Sequence, residues 1–209
     1  MAFLLNNQLL FCRRLLSLIL GIGLTYSTSG QSVSQVSLEK LKAFCQQEKF
    51  IKAEKLVNKY LLRAPLDPVL HFWKGKILMH FEEYIQAYSS FKQAQNLDPF
   101  YADAYEGQGD LKYRLAFLVL SRPEICGSCG LQILPSISSQ IQPKDYFLAA
   151  IQDYLKALST SLKTATIYSK LGFCYERLGN HLLACQYMKK ADLQGHKEAR
   201  RYLNVSNCP

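Results

Sequence analysis

Glycine and proline are scarce, 11 and 7 in 209 residues, which excludes a collagen-like or linker-like chain. Tryptophan occurs once and methionine three times, yet 49% of residues are apolar and 20% charged, a balance that excludes a disordered chain. No apolar run reaches the roughly 20 residues of a full membrane span. Paired carboxylates at catalytic spacing, a nucleophile elbow, a phosphate-cradling glycine loop and a metalloprotease motif are all missing; Gly107-Gln108-Gly109 is too short to serve as a glycine loop. No enzyme class is indicated. The excess of 25 Lys and Arg over 16 Asp and Glu gives +9. It permits an anionic partner without demanding one. Only Lys189-Lys190 and Arg200-Arg201 cluster among the basic residues, so nucleic acid is not expected as a partner.

Acidic residues and lysine are absent from Met1 to Gly30. The only charges there are Arg13 and Arg14, followed by the apolar run Leu15–Leu24 and then Thr25, Ser27, Thr28, Ser29 and Gly30. Positive flank, short apolar run and small-residue exit form the pattern of a secretory signal peptide over residues 1–30. That pattern predicts export to a periplasm or to the cell exterior. The alternative is an uncleaved anchor that associates the chain with the membrane. The run is about half a span long, and extending it backwards buries two arginines at about 2.5–3.5 kcal/mol each. Twin-arginine export is weakly supported, and no cysteine follows the run to take a lipid. Cleavage would leave 23 basic against 16 acidic residues, +7, and six of the seven cysteines. An even count in an exported chain suits disulfides.

A period of 34 residues organises the rest. Ala87-Tyr-Ser-Ser-Phe-Lys-Gln-Ala94, Ala150-Ile-Gln-Asp-Tyr-Leu-Lys-Ala157 and Ala184-Cys-Gln-Tyr-Met-Lys-Lys-Ala191 share one pattern. Each has alanine, a large apolar residue four later, and alanine three after that. Ala53 to Ala87 and Ala150 to Ala184 are each separated by 34 positions. Phe50, Tyr84, Phe147 and His181 precede these alanines by three, and Gly75, Gly109 and Gly172 lie upstream. Small residues on facing helices allow close backbone approach, and large residues at helical spacing fill the seam between hairpins. Pro65 and Pro99 end the first two units.

This pattern resembles the tetratricopeptide repeat, a helix–turn–helix unit of the same period. Unit one runs about 34–67, with Leu41 in place of the usual small residue, and unit two runs 68–101. Unit three begins at Ala102, and unit four spans about 165–198, with His196 where a closing proline would stand. Ala87 and Ala150 are 63 apart, so unit three carries a 29-residue insertion, about 117–145. The end, Ala191 to Leu203, looks Sel1-like: Gly195 passes one helix into a truncated unit whose helix, about 197–204, caps the stack.

The insertion is rich in glycine, serine and proline and reads as a loop, although Phe117–Leu120 can extend the preceding helix. It holds Cys126 and Cys129. A redox dithiol normally follows a strand, and none is indicated. Zinc needs four ligands; no second C-x-x-C exists, and His71, His80, His181 and His196 are scattered. A local or cross-linking disulfide is favoured. Cys174 and Cys185 fall at about the same height on the two helices of unit four. They suit either a disulfide across the hairpin or two packed thiols.

The resemblance implies a concave groove lined by the first helix of each unit. Carried over by repeat position, the lining comprises Lys42, Phe72, Lys76, Met79, His80, Asp103, Glu106, Asp110, Tyr113, Arg114, Phe173 and Arg177, with Leu38, Cys45, Ser169 and Glu176 beside them. A mixed-charge groove suits an extended peptide or a helix. The terminal-carboxylate clamp of the chaperone-binding subset is disfavoured, because Asp110 and Phe173 stand at matching positions. The expectation is an all-α, right-handed solenoid of about four repeats over residues 34–204, with a capping helix and a tail at 205–209. Its expected role is a non-catalytic scaffold or adaptor for a protein or peptide, without cofactor or metal. The alternatives are a membrane-anchored envelope assembly factor and a thiol–disulfide oxidoreductase using Cys126 and Cys129.

Overall fold

The computed structural model describes residues 35–121, 142–162 and 164–209. Among them every regular element is a helix: α1 (Gln35–Gln46), α2 (Phe50–Leu61), α3 (Pro68–His80), α4 (Tyr84–Leu97), α5 (Ala102–Ser121), α6 (Pro143–Thr160), α7 (Thr164–Arg177), α8 (His181–Leu193) and α9 (Lys197–Val205). They pack in sequence, α1 with α2, α3 with α4, α5 with α6 and α7 with α8, each hairpin then leaning on the next. This is a helix-repeat, solenoid-like architecture. The expected signal peptide or anchor at 1–30 lies outside the described residues, as do Cys126 and Cys129. No helix among the described residues is long and apolar enough to cross a membrane.

Local chemistry sets the helix starts. Asp67 caps α3, its Oδ1 accepting from the Val69 N–H at 2.9 Å, and Pro68 takes the first helical position, where no donor is needed. Pro143 opens α6 in the same way, and Asp145 reaches back to accept the Gln142 N–H at 2.9 Å. Asn180 caps α8 through the Leu183 N–H. His196, at the place of the missing proline, caps α9 by accepting from the Ala199 N–H.

The turns repeat as well. Lys49 N–H donates to Phe44 C=O, Glu83 to Leu78, Asn180 to Tyr175 and His196 to Ala191, all at 2.9–3.1 Å. Each bond closes a helix end around a residue with positive φ: Glu48 (57°), Glu82 (62°), Gly179 (75°) and Gly195 (82°). Unit three departs here. Its first helix runs on to Ser121 and its second begins at Pro143, so Phe117–Ser121 and Pro143–Asp145, expected within the insertion, are helical. The cause is aromatic packing: the Phe117 ring lies 5.1 Å from Tyr113 and 5.7 Å from Phe147.

The core is a chain of seams between neighbouring units. Leu41, Val57, Leu70 and Ile77 join the first two units; Phe91, Leu111, Leu115 and Tyr146 join the next two; Tyr105, Tyr154, Ile167 and Leu171 join the last pair. Ala199, Tyr202 and Leu203 of α9 close the end against Met188 and Ala191. Within the second, third and fourth hairpins a glycine faces a large side chain, not a small one as the sequence suggests. A Cβ on Gly75 would stand 2.7 Å from the Phe91 ring, one on Gly109 2.6 Å from Tyr154, and one on Gly172 2.9 Å from Met188. Gly107 touches the same Phe91 ring from the next unit, at 2.6 Å. Unit one inverts the sizes: Leu41 replaces the glycine and Val57 the ring, both fully buried in one cluster.

The cysteines correct one expectation. Cys185 is disulfide-bonded to Cys208 in the tail, and Cys174 is a free thiol. Equal height on a hairpin did not give a shared face. Cys174 points into the seam with Ile167 and Leu171, where burial, with Asp110 nearby, pushes its thiol up to about 12.

Because the neighbours differ in stiffness, the glycines should differ in tolerance. Gly109→Ala and Gly75→Ala should each destabilise by about 1–3 kcal/mol, since a buried ring must shift. Gly172→Ala should cost less, because Met188 can re-rotate and alanine favours the helix by about 1 kcal/mol. Urea unfolding of the three variants gives the order; equal losses would contradict it.

Candidate functional site

The first helices of all four units converge on one cleft of about 500 Å³. Leu38 and Lys42 enter from α1, Val69, Phe72, Trp73 and Lys76 from α3, Asp103, Glu106, Gly107 and Asp110 from α5, and Thr166 and Lys170 from α7, with Tyr101 at the lip. The size, and the apolar wall that Phe72 and Trp73 supply, suit a small number of side chains. Beside it lies a second cleft of about 350 Å³, lined by Lys42, Cys45, Gln46, Phe50, Trp73, Lys76, Met79, His80 and Arg114. No carboxylate lines the second cleft. The Phe50 and His80 rings stack in its wall at 3.5 Å.

The floor of the larger cleft is an ion network. The Lys170 ammonium stands 2.6 Å from Glu106 Oε1 and 2.6 Å from Asp110 Oδ1. The Tyr154 hydroxyl donates to the same Asp110 oxygen at 2.9 Å, and Lys76 stands 3.7 Å from the other. Burial alone would lower the Lys170 pKa, but Asp110 and Glu106 outweigh it and raise it. Burial, then the adjacent Asp110 charge, pushes the Tyr154 hydroxyl well up. Tyr101 is raised by burial and by Asp103, Asp67 and Asp98. Below the floor, Lys112 and Asp153 pair at 2.7 Å between α5 and α6. Burial still leaves the Asp153 carboxyl above its usual range, with Lys112 pulling it down.

The expected lining divides accordingly. Lys42, Phe72, Lys76, Asp103, Glu106 and Asp110 come together in the first cleft; Lys42, Lys76, Met79, His80 and Arg114 come together in the second. Tyr113, Phe173 and Arg177 line neither. Tyr113 packs edge-on against Phe117 and Phe147, and the Arg177 guanidinium covers the Phe117 ring at 4.8 Å. Phe173 meets Tyr202 of the capping helix at 6.3 Å. Ser169 is buried with its hydroxyl toward Met188. The face of α7 is thus displaced, and it presents Lys170, which repeat position did not select.

The titration of this floor has a sign. Tyr154 and Lys170 are both raised, so the unfolded chain gives up each proton first. Their contribution is complete below about pH 10 and is lost as pH rises above it. Urea midpoints measured from neutral to alkaline pH should therefore fall beyond about pH 10, and Tyr154→Phe should flatten that fall. A decline of unchanged steepness in the variant would refute the assignment.

No protein-family model matches the sequence, and no curated protein matches it. The fold does have solved counterparts. The crystal structure of MamA is 21% identical, with a TM-score of 0.50 over 78% of this chain and 79% of that one. The first tetratricopeptide domain of Spaghetti (RPAP3), solved with the HSP90 peptide SRMEEVD, is 18% identical, with a TM-score of 0.50 over 71% of this chain and 97% of that one. With the 34-residue period, the glycine-bearing hairpins and this likeness together, the chain has a tetratricopeptide-type helical-repeat fold.

Proposed function

We propose that this chain is a non-catalytic scaffold that holds an extended peptide or helix of a partner protein across the face formed by α1, α3, α5 and α7. The observation that carries the reading is the convergence of all four helices on adjoining clefts, with Phe72 and Trp73 as apolar wall. A peptide-bound relative in fold supports the class of ligand and says nothing of its sequence.

Charge placement refines the ligand. Lys170 is committed to Glu106 and Asp110, and Asp110 also faces Lys76. Among the described residues, cations with room for a ligand include Lys42, whose ion pair is with exposed Glu39, and the Lys76 and Arg114 side of the second cleft. An acidic partner residue fits there, next to an apolar one on Trp73 and Phe72. Asp103 at the other end favours a basic or donor group. A carboxylate clamp at the floor itself is disfavoured by Asp110.

An arrayed random-peptide library probed with the full chain tests this. Selected peptides should carry an acidic residue beside an apolar anchor. Lys42→Glu with Lys76→Glu should abolish the acidic preference, and Trp73→Ala should weaken binding about tenfold or more. Unaltered selection by the charge-reversed chain would place recognition elsewhere.

A further inference from the structure

The far end of the stack carries a second cluster that the groove does not use. His181 and Cys185 lie four apart on α8 and so share a face. The His181 Nε2 is 3.6 Å from the Cys185 sulfur. Cys208 comes from the tail, bonded to Cys185, and the three ligand atoms all lie within 4.8 Å of one another. The tail is held there a second time, by Lys189 Nζ donating to the Pro209 carbonyl.

The histidine is oriented for coordination. Glu176 Oε2 lies 3.1 Å from His181 Nδ1, and the Tyr202 hydroxyl donates to that same oxygen at 2.6 Å. With Nδ1 carrying the proton for Glu176, the lone pair sits on Nε2, toward the sulfurs. A carboxylate behind a histidine is the arrangement that fixes imidazole ligands of zinc.

We propose that, once the Cys185–Cys208 bond is reduced, Cys185, Cys208 and His181 Nε2 bind one Zn²⁺, with water in the fourth position. The chemistry balances simply. A dithiol reductant supplies two electrons and two protons, the sulfur–sulfur bond breaks to two thiols, and the reductant becomes a disulfide. Zn²⁺ then displaces the two thiol protons, and two thiolates with one neutral imidazole make the site neutral. The sulfurs need only separate from bonding distance to the spread of a tetrahedral site, with Zn–S at about 2.3 Å and Zn–N at about 2.0–2.1 Å. Neither ligand residue on α8 has to leave the helix. Disulfide and metal site are mutually exclusive locks on the same tail, so Zn²⁺ favours the reduced chain by mass action.

Cobalt is the probe, added to the full chain bearing Cys126→Ser and Cys129→Ser so that the other thiol pair does not compete. The reduced chain should take up one equivalent of Co²⁺ with a thiolate-to-cobalt charge-transfer band and tetrahedral d–d bands, and Zn²⁺ should displace it. The oxidised chain should show neither band. Cys208→Ser should abolish the charge-transfer band at matched metal, His181→Ala should weaken or abolish it, and Glu176→Gln should weaken affinity about 10–100-fold. Circular dichroism checks that each variant keeps its helices. Absence of the bands in the reduced, folded chain, or their persistence unchanged in both Cys208→Ser and His181→Ala, would overturn the proposal.

Discussion

Close approach of paired helices, made possible in three of the four hairpins by glycine against a large side chain, is the constraint on which the rest of this structure depends. Gly75, Gly109 and Gly172 each lack a side chain where Phe91, Tyr154 and Met188 enter from the second helix. A Cβ at any of them would fall inside the van der Waals distance of its neighbour. That contact fixes the spacing within a hairpin, and the ring fixes which face of the next helix can follow. Phe91, held between Gly75 and Gly107, couples two units through one side chain. Tyr154 does more: its ring fills the Gly109 gap while its hydroxyl reaches Asp110 at the groove floor. Core and candidate site therefore meet in one residue.

Unit one shows that the seam can be filled with the sizes divided differently between the two helices. Leu41 and Val57 stand where the other hairpins hold a glycine and a larger residue, and both are fully buried. A leucine against a valine fills the seam as a glycine against a phenylalanine does. Volume-conserving exchange is what cores tolerate best. The groove depends on this regularity, because four first helices face one cleft only if each hairpin keeps the same separation.

Much of this was legible in the sequence. Alanines and glycines spaced by 34 residues, with aromatics at fixed offsets, give the helices, their pairing and their turns, since these are local or nearest-neighbour features. In unit three the first helix runs on to Ser121, in line with the extension through Phe117–Leu120 that the sequence allows. The groove was half legible. Lys42, Lys76, Glu106 and Asp110 follow from repeat position, whereas Lys170 does not, because α9 covers Phe173 and Ser169 is drawn into the core. The pairing of Cys185 with Cys208 was not legible. It joins a helix face to a tail that lies outside the repeat, and six cysteines leave many connectivities open.

The most direct test moves unit one's solution into unit two. A chain with Gly75→Leu and Phe91→Val carries the Leu41/Val57 pair at the equivalent positions, and its unfolding free energy is compared with those of the two single variants. Complementary volume predicts that the double variant recovers most of the loss of Gly75→Leu and unfolds cooperatively within about 1.5 kcal/mol of the parent. A double variant whose loss equals the sum of the two single losses would contradict the account.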